Sequence, residues 1–308
     1  MGAGWVAGVT RARAMLSRAL GREKTEEVAS ARGLEAAVRH LSASPYGRGL
    51  LPGTSLGDAQ QAVAAAFLWH LRVLAGWQPL SGAHTIRLLA SGFEIANVED
   101  HLRTLTGVGR PRAPYQLGAL ATGWPRLART GSPRELRAAL ATSGWGDPGE
   151  ATPAAVAVGM RVSAAVRTAT AVPEAARWAA GRLALLVGRE VFVARRSLPR
   201  LSAERAERLL GAKAMAATSF TDYRRGLPPT AQWAVAGIDD EAGLWRAEGR
   251  WWDRLDEGGW ALLRGSRPGS APVVGAVAVL SADAWRVRGA LEGAARGGRR
   301  LEAFDAPA

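Results

Sequence analysis

The chain has 308 residues, of which 48% are hydrophobic and 22% charged, with a formal net charge of +13 and no cysteine. That composition can bury a sizeable core, enough for two or three domains, and it excludes intrinsic disorder. The missing cysteine excludes disulfide scaffolds, thiolate metal sites and cysteine nucleophiles, and it fits a reducing compartment. Lys24 and Lys213 are the only lysines, so the positive charge is nearly all arginine. Together with the high Ala, Gly and Trp content this reads as the codon bias of a GC-rich genome, and the charge by itself names no partner.

A secretory signal is not expected, because the first ten residues are short and weakly apolar and Arg11, Arg13 and Arg18 follow. The first amphipathic helix is expected over 5–20. Trp5, Val9, Ala12, Leu16 and Ala19 make one stripe there, the arginines lie largely off it, and Gly21 can end it. A second helix should run over about 25–41 and close at Ser44-Pro45-Tyr46-Gly47. Ser55 or Asp58 can cap a third, over 56–76, with Val63, Phe67, Leu71 and Leu74 on one face. A fourth, about 83–106, carries Ile86, Leu89, Phe93, Val98, Leu102 and Leu105, and 107–114 reads as a turn.

Residues 150–199 are Ala/Val-rich and read as helical, with Pro173 opening one helix and Pro199 closing another. A further helix is expected over 201–220, started by Ser202, with a break at 223–230. Trp233, Trp245, Trp251, Trp252 and Trp260 read as core and helix-contact aromatics. A loop at 264–272 leads to a helical pair over about 273–296, and the tail after Gly297 is expected to fray. The only plausible strands, 191–194 and 273–280, suit buried helix equally well, and no run reaches the roughly 20 apolar residues of a membrane span. The class predicted is all-α and soluble.

Two segments are related. Residues 33–47, GLEAAVRHLSASPYG, and 132–146, SPRELRAALATSGWG, align Ala37 with Leu136, Leu41 with Leu140, Ser44 with Ser143, Tyr46 with Trp145 and Gly47 with Gly146. A duplicated helical unit favours stacked helical subdomains over a single catalytic fold. Two helix ends also repeat: His70-Leu71-Arg72 and His101-Leu102-Arg103 are each followed by Leu and Gly, with looser echoes at 182–188 and 286–293. Leucine at that spacing supplies a buried ridge, arginine complements the helix dipole, and glycine stops the helix.

Catalytic motifs fail on context. Gly144, Gly146 and Gly149 match a dinucleotide-binding spacing, but a helix precedes them, Pro148 removes an amide and no βαβ unit surrounds them. Gly53-Thr54-Ser55-Leu56-Gly57 matches a nucleophile elbow without its strand, so a capped loop is expected. His40, His70, His84 and His101 lack metal spacing, and His70 and His101 occupy equivalent places, which favours a structural role. The pairs Glu26/Glu27, Asp239/Asp240 and Asp256/Glu257 lie in polar stretches and make no acid–base dyad. Arginine beside tryptophan, as in Trp245-Arg246 and Arg250-Trp251-Trp252, could stack nucleobases, but no nucleic-acid recognition motif accompanies it.

Trp5, Thr10-Arg11-Ala12-Arg13-Ala14, Leu16, Leu20 and Pro45-Tyr46 stand in the order of an aromatic, an Ala-Arg-x-Arg-Ala run, a Leu-containing helix end and a tyrosine turn. Phe93-Glu94-Ile95-Ala96-Asn97-Val98-Glu99 with Leu102-Arg103, then Tyr115-Gln116-Leu117-Gly118, Leu127 and the 132–146 unit continue it, and 281–293 repeats the last helix type. In that order the chain resembles the C subunit of V-type and archaeal-type ATPases (subunit d in eukaryotes), chiefly over 5–146. It departs from the family where an acidic residue is usual, at Trp69-His70, and where tryptophan replaces tyrosine.

The resemblance implies an all-α, funnel-shaped arrangement of three similar subdomains with pseudo-threefold symmetry, bounded here at 1–110, 111–215 and 216–308. It implies a non-catalytic subunit without metal or cofactor, coupling the central stalk to the membrane rotor ring for proton or sodium transport. Such a subunit is cytoplasmic, held on the inner face of the membrane by its complex. Arg72, Arg103 and Arg288 are the candidate partner contacts, because they recur at helix ends. A basic helical-repeat protein that binds nucleic acid is the alternative, and it is disfavoured.

Overall fold

The computed structural model describes residues 3–108, 112–265 and 269–297, and these contain helices but no strand. In chain order the α-helices are α1 (Ala3–Met15), α2 (Arg22–Ala29), α3 (Leu34–Ser42), α4 (Leu56–Gly76), α5 (Leu80–Leu89), α6 (Ser91–Leu105), α7 (Trp124–Leu127) and α8 (Pro133–Ala141). They continue as α9 (Pro153–Ala171), α10 (Ala176–Gly188), α11 (Arg200–Leu210), α12 (Ala212–Met215), α13 (Phe220–Gly226), α14 (Pro229–Gln232), α15 (Leu244–Leu263) and α16 (Ser270–Ala295). The chain divides into two compact units, one of Met1–Ile86 with Trp252–Ala308 and one of Arg87–Trp251.

The first unit is built around α16, which packs against α1, α2, α3 and α4. A helix apolar on all sides must be enclosed, and in α16 the buried residues include Val273, Val274, Val277, Leu280, Val287 and Leu291. What looked like a helical pair over 273–296 is therefore one continuous helix. Gly259 of α15 and Gly275 of α16 let two backbones meet: a Cβ on Gly275 would lie 2.6 Å from the Gly259 carbonyl oxygen. In the second unit α10 lies against α9 and α14, and α9 against α6 and α11. Part of its core gathers Ile95, Val98, Leu102, Leu127, Leu136, Leu140, Trp145, Val156 and Met160.

Several expected helices are divided. The one over 25–41 breaks between α2 and α3, where Gly33 adopts φ +95°, a conformation that side chains disfavour. The helix over 83–106 becomes α5 and α6. The helix over 201–220 ends at Gly211, φ +83°, before α12. Pro199 precedes α11 as its N-cap instead of closing a helix. Residues 223–230, read as a break, contain the end of α13, and Tyr223 there is fully buried.

The third helix matches its expected span, and Ser55 caps it by accepting a hydrogen bond from the Asp58 N–H at 3.2 Å. The ambiguous run at 191–194 is largely a π-turn (Arg189–Val193) following α10. Among the late tryptophans Trp251 is buried, whereas Trp245 and Trp260 are exposed. Part of the turn at 107–114, part of the loop at 264–272 and the tail after Gly297 lie outside the described residues.

Candidate interaction site

The duplicated segments are joined by the same hydrogen-bonded device in each unit. In the first, α16 carries Asp283 in its apolar stretch, only 2% exposed. Its Oδ2 accepts hydrogen bonds from the Leu20 N–H at 2.8 Å and the Tyr46 hydroxyl at 2.7 Å, and its Oδ1 accepts from the Gly21 N–H at 2.9 Å. Leu20 and Gly21 follow the 3₁₀ turn Leu16–Arg18 and precede α2. The carboxylate thus takes up amides at the helix entry for which the helix offers no acceptor. Burial, and then the neighbouring Asp283, hold the Tyr46 hydroxyl well above its ordinary pKa, so it stays a donor.

In the second unit α6 carries Glu94, 1% exposed. Its Oε2 accepts from the Thr122 N–H at 2.5 Å, and its Oε1 accepts from the Gly123 N–H at 2.7 Å and the Trp145 indole N–H at 2.8 Å. Thr122 and Gly123 follow the 3₁₀ turn Gly118–Leu120 and precede α7. The turns that deliver the two aromatics are also alike. Ser44 Oγ donates to the Leu41 carbonyl and accepts from the Tyr46 N–H, at 2.7 and 3.1 Å; Ser143 Oγ does the same with Leu140 and Trp145, again at 2.7 and 3.1 Å.

Sequence reasoning aligned Tyr46 with Trp145 but gave neither carboxylate a role. The available signal was a lone acid amid Ala and Val in α16, and Glu94 four residues before Val98 in α6. A third buried aromatic, Tyr223, donates its hydroxyl to the Ala184 carbonyl of α10 at 2.7 Å, with backbone standing in for a carboxylate.

The three arginines proposed from sequence have different surroundings. Arg103 is ion-paired with Asp100 one turn back on α6. Arg288 lies on α16; its Nε is buried without a hydrogen-bond partner, while its carbonyl accepts from Gln60 Nε2 at 3.3 Å. Arg72 lies over the Trp69 ring, 5.8 Å from its centre. Arg103 belongs to the second unit and the other two to the first, so they are not three copies of one environment. Asp256, expected in an exposed pair, is instead buried and bonded by Arg286 at 2.7 Å.

Arg72 belongs to a cationic face made by α1 and α4. Arg48 also lies over Trp69, at 5.1 Å, and Arg11 lies over Trp77, at 5.9 Å. His70, beside Trp69 on α4, has its Nε2 buried and unbonded, as is Arg11 Nε. Burial first, then Arg18 and Arg11, lower the His70 pKa from its ordinary 6.5. The equivalence of His70 and His101 therefore does not extend to their contacts: His101 Nε2 lies 3.1 Å from both the carbonyl oxygen and Oγ1 of Thr130.

Negative charge is scarce along these elements: residues 1–22 and 59–93 contain no Asp or Glu, and Asp58 of α4 is bonded by the Ser55 hydroxyl. Among the described residues Arg11, Arg18, Arg48 and Arg72 have no carboxylate partner, unlike Arg137 with Asp147 or Arg161 with Glu99. Val6 of α1, Trp69 of α4, Trp77 just after α4 and Leu80 at the start of α5 are exposed apolar residues, Leu80 at 93%.

Among the described residues no group of three or more His, Asp or Glu is placed to hold a metal ion. A shallow recess in the second unit, lined by Arg137, Gly149, Glu150, Pro199, Arg200 and Leu201, includes one glycine of the dinucleotide-like spacing. Arg137 is engaged by Asp147 and Arg200 by Glu204, so its cations are already neutralised. No described helix is long and apolar enough to cross a membrane. No protein-family model matches the chain, and no curated protein matches it significantly.

Proposed function

We propose that the chain is a non-catalytic coupling subunit of a V-type or archaeal-type rotary ATPase, linking the central stalk to the membrane rotor ring. The observation that carries this reading is the repeated carboxylate device. A helix bearing Asp283 or Glu94 clips the entry of a short helix, α2 or α7, and the aromatic that follows the next one, α3 or α8. Such clips make each module rigid, because ordering is maintained by buried hydrogen bonds that are costly to break.

Torque transmission needs rigid modules and partner surfaces, and it needs no pocket of reactive groups. The funnel of three subdomains that the resemblance implies belongs to this reading. On this reading the chain is held at the inner face of the membrane by its complex. Its basic charge guides docking onto acidic partner surfaces, a contribution to association rate more than to affinity.

The test is affinity isolation of the tagged chain from detergent-solubilised membranes of its source organism, followed by mass spectrometry. Recovery of ATPase head, stalk and ring subunits in constant proportion supports the role. Recovery of nucleic acid, or of no membrane-complex subunit, removes it.

A further inference from the structure

We propose that the α1–α4 face is a docking site for an acidic protein segment, whose carboxylates pair with Arg11, Arg18, Arg48 and Arg72 while an apolar side chain packs on Trp77 and Leu80. This deepens the docking role proposed above and rests on it only for the partner's identity. The arginines of this face have no carboxylate partner among the described residues; α1 has no acid, and Asp58, the one acid of α4, is bonded by the Ser55 hydroxyl at 2.6 Å. Some arginines elsewhere are paired within the chain, as Arg182 is with Glu248 and Arg196 with Glu190. What sets this face apart is four unpaired arginines beside exposed Trp69, Trp77 and Leu80.

Trp69 lies under Arg48 and Arg72, and Trp77 under Arg11. A guanidinium stacked on a ring keeps its in-plane N–H groups free to grip a carboxylate in bidentate fashion. It also occupies the surface on which a nucleobase would stack. Arginines over both rings thus cover faces on which a base would stack and leave guanidinium edges open to a carboxylate.

A bilayer surface fits this face poorly. A helix that lies on a bilayer needs a free apolar face, and Val9, Ala12 and Met15 of α1 are already buried within the unit. Near them Arg11 Nε, His70 Nε2 and the Gln78 side-chain amide are buried with no hydrogen-bond partner. Gln78 is held close against α1, its Oε1 2.2 Å from where a Cβ on Gly8 would be.

The test uses the purified full chain and a short labelled helical peptide in which glutamates alternate by turn with leucines. Comparators are the same peptide with glutamine for glutamate, an oligothymidylate, and phosphatidylserine vesicles. Binding is read by fluorescence anisotropy at several salt concentrations. The expected result is that R18E/R48E/R72E weakens the acidic peptide roughly tenfold or more, whereas R129E/R134E/R208E, an equal charge change on exposed arginines of the other unit, leaves it nearly unchanged. The exposed pair R18Q/R48Q guards against misfolding and should weaken binding roughly threefold.

The proposal is overturned by equal binding of the glutamine peptide, by equal loss in the two triple variants, or by preference for the oligonucleotide or the vesicles over the peptide. Peptide binding without recovery of ATPase subunits from membranes would retain this site and remove the coupling role; recovery of those subunits without peptide binding would do the reverse.

Discussion

Replacing Asp283 by asparagine tests the clip with almost no change of shape. The side chain receives three hydrogen bonds, from the Leu20 and Gly21 amides and the Tyr46 hydroxyl, in a position 2% exposed. An amide keeps one acceptor oxygen. If that oxygen faces Leu20 and Tyr46, both bonds survive as weaker neutral ones, while the new NH₂ group points at the Gly21 N–H and leaves a buried donor facing a donor. Hydrogen bonds to a charged group contribute about 1.5–3 kcal/mol each, and an orphaned buried donor costs about 1–3 kcal/mol. Asp283→Asn should therefore destabilise by about 3 kcal/mol, and Asp283→Ala, which orphans all three donors, by about 5 kcal/mol or more.

That is a large part of the roughly 5–15 kcal/mol that holds a domain folded. The assay is urea unfolding followed by circular dichroism, run as a double-mutant cycle with Tyr46→Phe. A coupling of about 1–2 kcal/mol is expected for groups in direct contact. Loss of less than about 0.5 kcal/mol in D283N, or a coupling near zero, would refute the claim that this carboxylate organises the unit.

The matching change in the second unit, Glu94→Gln, should cost a comparable 2–4 kcal/mol by the same count of donors, and hydrogen exchange should localise its effect to Thr122, Gly123 and the Trp145 turn. Gly275→Ala places a methyl group 2.6 Å from the Gly259 carbonyl oxygen, so thermal unfolding should show a loss of about 1–3 kcal/mol despite the better helix propensity of alanine. His70 is harder to protonate when folded than its ordinary value of 6.5 implies, through burial and then through Arg18 and Arg11. The unfolded chain thus binds the extra proton first as pH falls below that value, and stability is lost until the folded pKa is reached. His70→Gln should flatten this decline in unfolding free energy, and identical pH profiles would count against it.

Helical class and the span of α4 were legible because a periodic apolar stripe and a serine cap act locally, within a few residues. The breaks at Gly33 and Gly211 were less legible, since a glycine inside a helical pattern is tolerated, and here the positive φ at each ends the helix. The alignment of Tyr46 with Trp145 located one half of each clip. The other half was hidden because Asp283 lies 237 residues from Tyr46 in sequence, and no local pattern reports a partner at that distance.

Arg103 and Arg72 share a sequence context yet differ in fate: Asp100 lies one turn before Arg103, while Trp69 holds that place before Arg72. The same Trp69-His70 position, a departure from the resembled family, is where the cationic face lies. A reading by helix-end motif alone grouped the two arginines, and the neighbouring residue on the helix surface separates them.

The central claim is coupling, and it is tested most directly in membrane vesicles from cells that lack this chain. ATP hydrolysis and ATP-driven ion uptake are measured together, before and after adding back the purified protein. The account predicts that ion uptake is lost while hydrolysis by the catalytic head persists, and that the added chain restores uptake. Uptake unchanged by the chain's absence would contradict it.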